Sequence, residues 1–219
     1  MYYFPNRMFA GELIADKLEP KYRFEDCAVL ALSDGAVMVG CSIAKRLHSS
    51  ISMLLLSAIQ LPRETDALAS INHFGGVTYN NKFSPGELEE LRSEYFNFIE
   101  QQKLQKLFEM NEMVGEGGIL DPNLLRNRVV IVVSDGLTNG FSMHAAAEFL
   151  KPIKLKRMIM VVPFASVSAV DQMHMLADEI VCLNVMDNII SIDHYYEDSS
   201  MPTHETIVNI LEDIILNWK

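Results

Sequence analysis

Apolar and polar residues follow each other along the chain in blocks that predict strands and helices in turn. Val129–Val133 is a run of five β-branched residues, which is typical of a strand buried on both faces of a sheet. A small polar segment with glycines follows. His144–Leu150 then contains strong helix formers, with no helix breaker before Pro152. The pattern therefore predicts a strand, a polar loop and a helix N-terminus in direct succession.

The same order recurs over most of the chain. Ala28–Leu32 is a short apolar run closed by Ser33, Asp34 and Gly35, and a helix is predicted from Ala36 to Leu47. Further predicted strands are Ser52–Ser57, Met158–Val162 ending at Pro163, and Ile180–Val185; further predicted helices are Met8–Leu18, Ser168–Leu176 and Thr203–Trp218. Strands that alternate with helices predict an α/β fold with a parallel, doubly wound sheet flanked by helices. One domain over residues 1–219 is expected.

Two segments depart from this alternation. Between residues 60 and 84 the apolar pattern weakens, and Gly75–Asn81 fits either a strand with a turn or a mobile flap. Ser84, Pro85 and Glu87 then have the spacing of a helix capping box with proline at the first helical position. A long amphipathic helix is predicted over residues 85–110.

Composition narrows the class of protein. The chain has 219 residues, of which 49% are hydrophobic and 21% charged, so it is long enough for a sizeable core. A net charge of −11 argues against nucleic acid or an anionic membrane as the main partner, because such binding depends on Lys and Arg that neutralise phosphates. The 3 cysteines lack metal-ligand spacing, and no apolar run reaches the ~20 residues of a membrane helix. With no signal peptide at the start, a cytoplasmic location is expected.

The loop between the central strand and its helix is the best candidate for a ligand site. In a strand–loop–helix unit the backbone N–H groups of the helix N-terminus point at an anion, and the helix dipole adds to the attraction. Gly140 lets the backbone approach a phosphate closely, while Thr138 and Ser142 add hydroxyl donors. The candidate ligand-binding residues are Ser134, Asp135, Thr138, Asn139, Gly140, Phe141 and Ser142.

These residues resemble a known motif. A hydrophobic strand, an acidic pair, Gly-Leu, and then Thr-Gly with a hydroxyl residue form the segment with which type I phosphoribosyltransferases hold the ribose 5-phosphate of phosphoribosyl pyrophosphate. Asp135, Gly140 and Ser142 match the second acid, the glycine and the hydroxyl, whereas Ser134 replaces the first acid and Asn139 replaces threonine. The similarity covers most of the chain and includes Val161–Pro163, Leu176–Leu183 and His194–Asp198.

The resemblance implies a type I phosphoribosyltransferase-like fold and a set of roles for these residues. Asp135 matches the carboxylate that hydrogen-bonds the ribose hydroxyls in the family. Two carboxylates help to order the ribose and the Mg²⁺ that accompanies the pyrophosphate, and the hydroxyl of Ser134 is a poorer ligand for that hard cation. His194–Asp198 is expected either to touch the edge of a ligand or to pack its aromatic rings beneath the sheet edge.

The chain departs from the family at the pyrophosphate end. After the first strand relatives place Arg or Lys near paired glycines, whereas this chain has Ser33, Asp34 and Gly35. Relatives also place Arg-Lys at the end of the next strand, and the matching positions here are Ser57 and Ala58. Loss of these cations removes electrostatic stabilisation of a highly charged leaving group.

Three functions remain open from the sequence. The first is a phosphoribosyltransferase-like protein that binds ribose 5-phosphate, phosphoribosyl pyrophosphate or a nucleotide at Thr138–Ser142, with transfer weak or lost. The second is an active transferase with Mg²⁺ and divergent residues such as Arg63 or Arg126. The third is a non-catalytic scaffold, with a homodimer surface on the helix over residues 85–110. No metal site formed by the protein's own side chains is predicted, and no motif identifies a catalytic residue or an acceptor base.

Overall fold

The computed structural model describes residues 3–114 and 120–216. The chain divides by its contacts into two compact units, Met1–Leu54 with Glu116–Lys219, and Leu55–Gly115. This division into units does not test the expectation of one domain over residues 1–219, which stays a prediction. No helix in the described part of the chain is long and apolar enough to cross a membrane.

The strands and helices follow one another in the predicted alternation. The strands are β1 (Cys27–Ala31), β2 (Ser50–Met53), β3 (Leu56–Ile59), β4 (Ala69–Asn72), β5 (Val77–Tyr79), β6 (Val129–Val133), β7 (Arg157–Ser166) and β8 (Glu179–Met186). The helices are α1 (Arg7–Tyr22), α2 (Asp34–Leu47), α3 (Pro85–Glu94), α4 (Phe96–Val114), α5 (Phe141–Leu150), α6 (Val167–Leu176) and α7 (His204–Leu216). Short 3₁₀ turns occur at Pro122–Leu125 and Asp193–Tyr195.

A five-stranded parallel sheet forms the centre of the first unit. Its strand order is β2-β1-β6-β7-β8, and every neighbouring pair is parallel. All residues of β1 and β6 are buried, which agrees with the continuous apolar runs from which these strands were predicted. This parallel sheet, flanked by helices, confirms the predicted α/β class.

The direction of the strand order reverses between β1 and β6. The chain proceeds from β1 outwards to β2, but from β6 it proceeds in the other direction to β7 and β8. Ala31 pairs with Val133 at the carboxyl ends of the two strands, so the loops that follow them leave the sheet side by side. In open parallel sheets such a switch point is where ligands bind.

Two strand predictions were wrong in their bounds. The single strand expected at Ser52–Ser57 is divided, because β2 ends at Met53 and β3 begins at Leu56 in a different sheet. The strand expected to end at Pro163 continues to Ser166. The pairing of β7 with β8 matches Val162 with Cys182 and Phe164 with Asn184, and it skips Pro163, which has no N–H to donate.

The second unit contains an antiparallel sheet of order β3-β4-β5 together with α3 and α4. Of the two alternatives for Gly75–Asn81, the structure shows a strand with a turn, in which Gly75 has the left-handed φ of 84°. The capping box at Ser84 and Glu87 is present with both of its hydrogen bonds.

The helical segment expected over residues 85–110 consists of two helices, α3 and α4. They meet at Tyr95, whose backbone leaves the helical region with φ −103° and ψ 22°. Phe96, Leu104 and Phe108 of α4 are exposed in this chain. A homodimer through this segment stays a prediction. The end of the last predicted helix, at Trp218, lies outside the described residues.

Candidate functional site

The loops after β1 and β6 meet at Asp135. Ser33 Oγ donates to Asp135 Oδ1 at 3.2 Å and so joins residues that are 102 positions apart. The same Ser33 Oγ caps α2 by accepting from the backbone N–H of Ala36 at 3.0 Å. The structure therefore brings two predicted site residues together at the switch point of the sheet.

Arg7, which the sequence analysis did not single out, is the main partner of Asp135. Its Nε donates to Asp135 Oδ2 at 2.8 Å, and Nη2 donates to Asp193 Oδ1 at 2.5 Å. The side chain of Arg7 is only 7% exposed and that of Asp135 only 9%. Burial lowers the pKa of the guanidinium, but the hydrogen bonds to Asp193 and Asp135 outweigh this effect and raise its pKa overall. Asp135 is thus held in a buried ion pair.

Tyr196 completes the surroundings of this ion pair. Its hydroxyl donates to the backbone oxygen of Asp135 at 2.5 Å, and the Arg7 guanidinium lies 4.6 Å from the centre of its ring. Burial and the charge of Asp135 raise the pKa of Tyr196, which keeps this hydroxyl protonated as a donor. Tyr195 and Tyr196 are buried against Phe4 and Phe164, whereas His194 is exposed. Of the two alternatives for His194–Asp198, the two tyrosines therefore show the aromatic packing.

Gly35 has no side chain, and the ion pair between Arg7 and Asp135 occupies the space that a side chain would fill. A Cβ atom added at this position would lie 2.0 Å from Asp135 Oδ2 and 2.8 Å from Arg7 Nε. Its backbone packs directly against the carboxylate. The glycine is thus required by a close approach, and it contributes to the site through its lack of a side chain.

The Gly35→Ala variant is expected to lose about 1–3 kcal/mol of unfolding free energy, because the added methyl group displaces the buried carboxylate. Gly86→Ala is the matched control, since Gly86 is also the second residue of a helix and has no atom within 4 Å of an added Cβ. That control should be unchanged or gain about 0.5–1 kcal/mol. Urea denaturation of both variants measures the difference, and equal stability would contradict tight packing around Asp135.

The carboxylate of Asp34 is engaged by a histidine. His204 Nδ1, at the start of α7, lies 2.8 Å from Asp34 Oδ1, and the two side chains are 19% and 29% exposed. Both residues begin a helix, and they are 170 positions apart in sequence. The Asp34 carboxylate is therefore part of an internal pair that the sequence did not reveal.

Two polar side chains of the loop after β6 form hydrogen bonds with backbone groups of the same loop. Ser134 Oγ donates to the backbone oxygen of Gly136 at 3.0 Å and is buried. Asn139 Oδ1 accepts from the backbone N–H of Phe141 at 3.1 Å. Thr138 is exposed and Ser142 half-buried, so both hydroxyls lie at the surface of the loop.

Gly140 is the N-cap residue of α5 and has no side chain with which to cap the helix. The N–H groups of the first helical turn have no carbonyl partner within the helix, and the helix dipole makes this end positive. A Cβ atom added at Gly140 would lie 2.2 Å from Gln172 Oε1 and 2.8 Å from Gln172 Cβ. Gln172 of α6 therefore packs against the loop, and its Oε1 is buried without a hydrogen-bond partner among the described residues.

Arg63 and Arg126, the expected substitute cations, belong to different parts of the chain. Ser57 and Ala58 are residues of β3 in the antiparallel sheet. Arg63 belongs to the second unit. Arg126 comes before β6, at the amino ends of the parallel strands and hence at the sheet edge opposite the candidate site.

The Mg²⁺ expected for an active transferase stays a prediction. Residues 3–114 and 120–216 contain no group of three or more His, Cys, Asp or Glu that could hold a metal. The Asp135 carboxylate is engaged by Arg7 and Ser33, and the Ser134 hydroxyl donates to the backbone oxygen of Gly136. In this structure the oxygens of Asp135 and Ser134 therefore form contacts within the protein.

Comparisons with known proteins agree with this fold. The model of the phosphoribosyl transferase domain family matches residues 7–200. The crystal structure of TT1426 from Thermus thermophilus is similar, with a TM-score of 0.76 and 26% sequence identity. That match covers 97% of this chain and 99% of TT1426.

Two similar curated proteins come from Mycobacterium tuberculosis strains CDC 1551 / Oshkosh and H37Rv, and both are named "Putative phosphoribosyl transferase". Each is 24% identical over 210 residues, which are 95% of this chain and 46% of the relative. The chain thus spans about half the length of the curated relatives that it matches.

Proposed function

The chain belongs to the phosphoribosyl transferase domain family, and we propose that it binds the phosphate of a small phosphorylated ligand at Thr138–Ser142, with group transfer weak or lost. The ligands considered are ribose 5-phosphate, phosphoribosyl pyrophosphate and nucleoside monophosphates. The proposed position is the switch point of the parallel sheet, where the loops after β1 and β6 leave side by side.

The N-terminus of α5 is the observation on which this proposal rests. It follows the fully buried central strand β6, begins directly after Gly140 and has first-turn N–H groups without carbonyl partners in the helix, of which that of Phe141 is bonded to Asn139 Oδ1. A phosphate placed there receives several backbone hydrogen bonds as well as the favourable end of the helix dipole. The hydroxyls of Thr138 and Ser142 lie on the same loop and add donors.

The pyrophosphate side of the site supports weak or absent transfer. Transfer from phosphoribosyl pyrophosphate breaks the bond between the ribose and a highly charged leaving group, whose developing charge must be stabilised by cations or N–H donors. The loop after β1 instead supplies Asp34, paired with His204, and Ser33, which is bonded to Asp135. Arg7 is directed into the ion pair with Asp135 and Asp193.

Calorimetry separates the three functions that the sequence leaves open. We expect ribose 5-phosphate and phosphoribosyl pyrophosphate to bind with affinities within about threefold of each other, with or without Mg²⁺, because the shared 5′-phosphate provides the binding energy. Tight binding of phosphoribosyl pyrophosphate only with Mg²⁺ would instead support an active transferase. No binding of either compound, or of a nucleoside monophosphate, would support a scaffold.

A further inference from the structure

The hydroxyl groups of a sugar are read most strongly by acceptors that the ligand can reach. A hydroxyl donates its single proton, and a carboxylate or amide oxygen aimed at two neighbouring hydroxyls is the strongest acceptor that a side chain offers. Acceptors on the two loops of this site include the side chains of Asp34, Asp135, Ser134 and Asn139.

Asp135 is closed to such a ligand on several sides. Its Oδ2 accepts from Arg7 Nε at 2.8 Å, and its Oδ1 accepts from Ser33 Oγ at 3.2 Å. The backbone of Gly35 covers the carboxylate so closely that an added Cβ would lie 2.6 Å from the carboxyl carbon. With only 9% of the side chain exposed, a ribose hydroxyl has little access to either oxygen.

The other three acceptors also have partners within the protein. Asp34 Oδ1 is 2.8 Å from His204 Nδ1, and Asn139 Oδ1 accepts from the N–H of Phe141. Ser134 donates its hydroxyl proton to Gly136. The carboxylate that the motif assigns to the ribose hydroxyls is therefore engaged, whereas the N-terminus of α5 and the hydroxyls of Thr138 and Ser142 offer donors that suit a phosphate.

The ion pair also reduces an electrostatic obstacle to an anion. An unpaired carboxylate at the switch point would repel a phosphate, and the repulsion would be strong because the carboxylate is buried. Arg7 brings a full positive charge to 2.8 Å from that carboxylate and weakens its repulsion of an anion, while the second partner of Arg7, Asp193, has a side chain that is 67% exposed to water.

We propose that this site recognises phosphate monoesters through the phosphate group and does not read the ribose hydroxyls, because Arg7 and Ser33 engage the Asp135 carboxylate. The ligand class is then wider than ribose 5-phosphates and includes deoxyribose 5-phosphate and phosphate esters of other small alcohols. This inference rests on the proposed function, since it concerns the ligand of the same loop.

A ligand series on the unmodified protein tests the inference. Calorimetry should give dissociation constants for ribose 5-phosphate, 2-deoxyribose 5-phosphate and glycerol 3-phosphate within about threefold of one another. Ribose without a phosphate should not bind. If 2-deoxyribose 5-phosphate or glycerol 3-phosphate binds more than about threefold more weakly than ribose 5-phosphate, the inference is overturned while the proposed function stands. If none of the phosphate esters binds, both are overturned.

A variant of the loop shows whether the measured binding occurs there. Ser142→Ala removes one hydroxyl donor and should weaken ribose 5-phosphate and 2-deoxyribose 5-phosphate by the same factor, about tenfold. Ser191→Ala, at an exposed serine outside the loop, is the matched control and should leave both affinities unchanged. A loss confined to ribose 5-phosphate, or no loss for either compound, would contradict recognition through the phosphate at this loop.

Discussion

Replacing Arg7 by methionine is expected to lower the free energy of unfolding by about 3–5 kcal/mol, because the buried Asp135 carboxylate would lose its counter-charge. The Arg7 and Asp135 side chains are 7% and 9% exposed, so water does not screen their interaction effectively. Methionine is long and apolar and fills much of the space of the arginine stem, so the loss reports the missing charge more than a cavity. Denaturation in urea, followed by circular dichroism, measures the change.

Two further variants show whether the effect belongs to the pair. Arg23→Met removes an arginine whose partner is Glu19 and whose side chain is 48% exposed, so it should cost about 0–1 kcal/mol. Adding Asp135→Asn to Arg7→Met removes the buried charge as well and should recover most of the lost stability. If Arg7→Met costs no more than Arg23→Met, the buried ion pair has no special role in holding the site together.

The Gly140→Val variant is expected to weaken binding of ribose 5-phosphate by about 100-fold while the protein stays folded. The new side chain would meet Gln172, whose Oε1 and Cβ lie 2.2 Å and 2.8 Å from the position of an added Cβ. The loop must then move away from α6, and the N–H groups at the start of α5 lose their common direction. Calorimetry measures the affinity, and circular dichroism checks that the fold is kept.

Gly86→Val is the control for this change, because a Cβ at Gly86 has no neighbour within 4 Å and Gly86 belongs to the second unit. It should bind ribose 5-phosphate as the unchanged protein does. Unaltered affinity in Gly140→Val would rule out the loop as the phosphate site, and binding would then have to be sought at another surface of the chain.

Local patterns predicted the elements that position the site. The five β-branched residues of β6 are fully buried as expected, and the helix that follows begins directly after the glycine expected to approach a phosphate. Ser84 and Glu87 form both hydrogen bonds of their capping box. These features depend on residues a few positions apart, so the sequence displays them directly.

The partners of the site residues were not predicted, because they are distant in sequence. Arg7 and Asp135 are 128 positions apart, and Tyr196 is 61 positions from the carbonyl that it contacts. A single arginine in the first turn of a helix produces no periodic pattern, and Asn6, its N-cap residue, indicates only where the helix begins. The motif identified Asp135, but the motif does not show that its carboxylate is engaged inside the protein.

Pro163 shows a second reason why the structure differs from the prediction. A proline usually ends a predicted strand because it cannot donate to the ladder, yet β7 continues past it. The register with β8 passes over this residue, so no donor is needed there. A strand tolerates proline where the adjacent strand needs no N–H donor from that position. The local sequence does not show which strand will be adjacent or in which register.

The contact between the loops after β1 and β6 joins parts of the chain that are distant in sequence. Ser33 and Asp135 are 102 positions apart, so closing this contact costs more chain entropy than the shorter pairings of β1 with β2 or of β6 with β7. Folding that depends on contacts of such separation is slow. A chain in which only one half of the sheet has formed would lack the assembled site. A ligand that binds between the loops after β1 and β6 would therefore stabilise only the completed fold. The melting temperature of the protein should then rise with the concentration of that ligand.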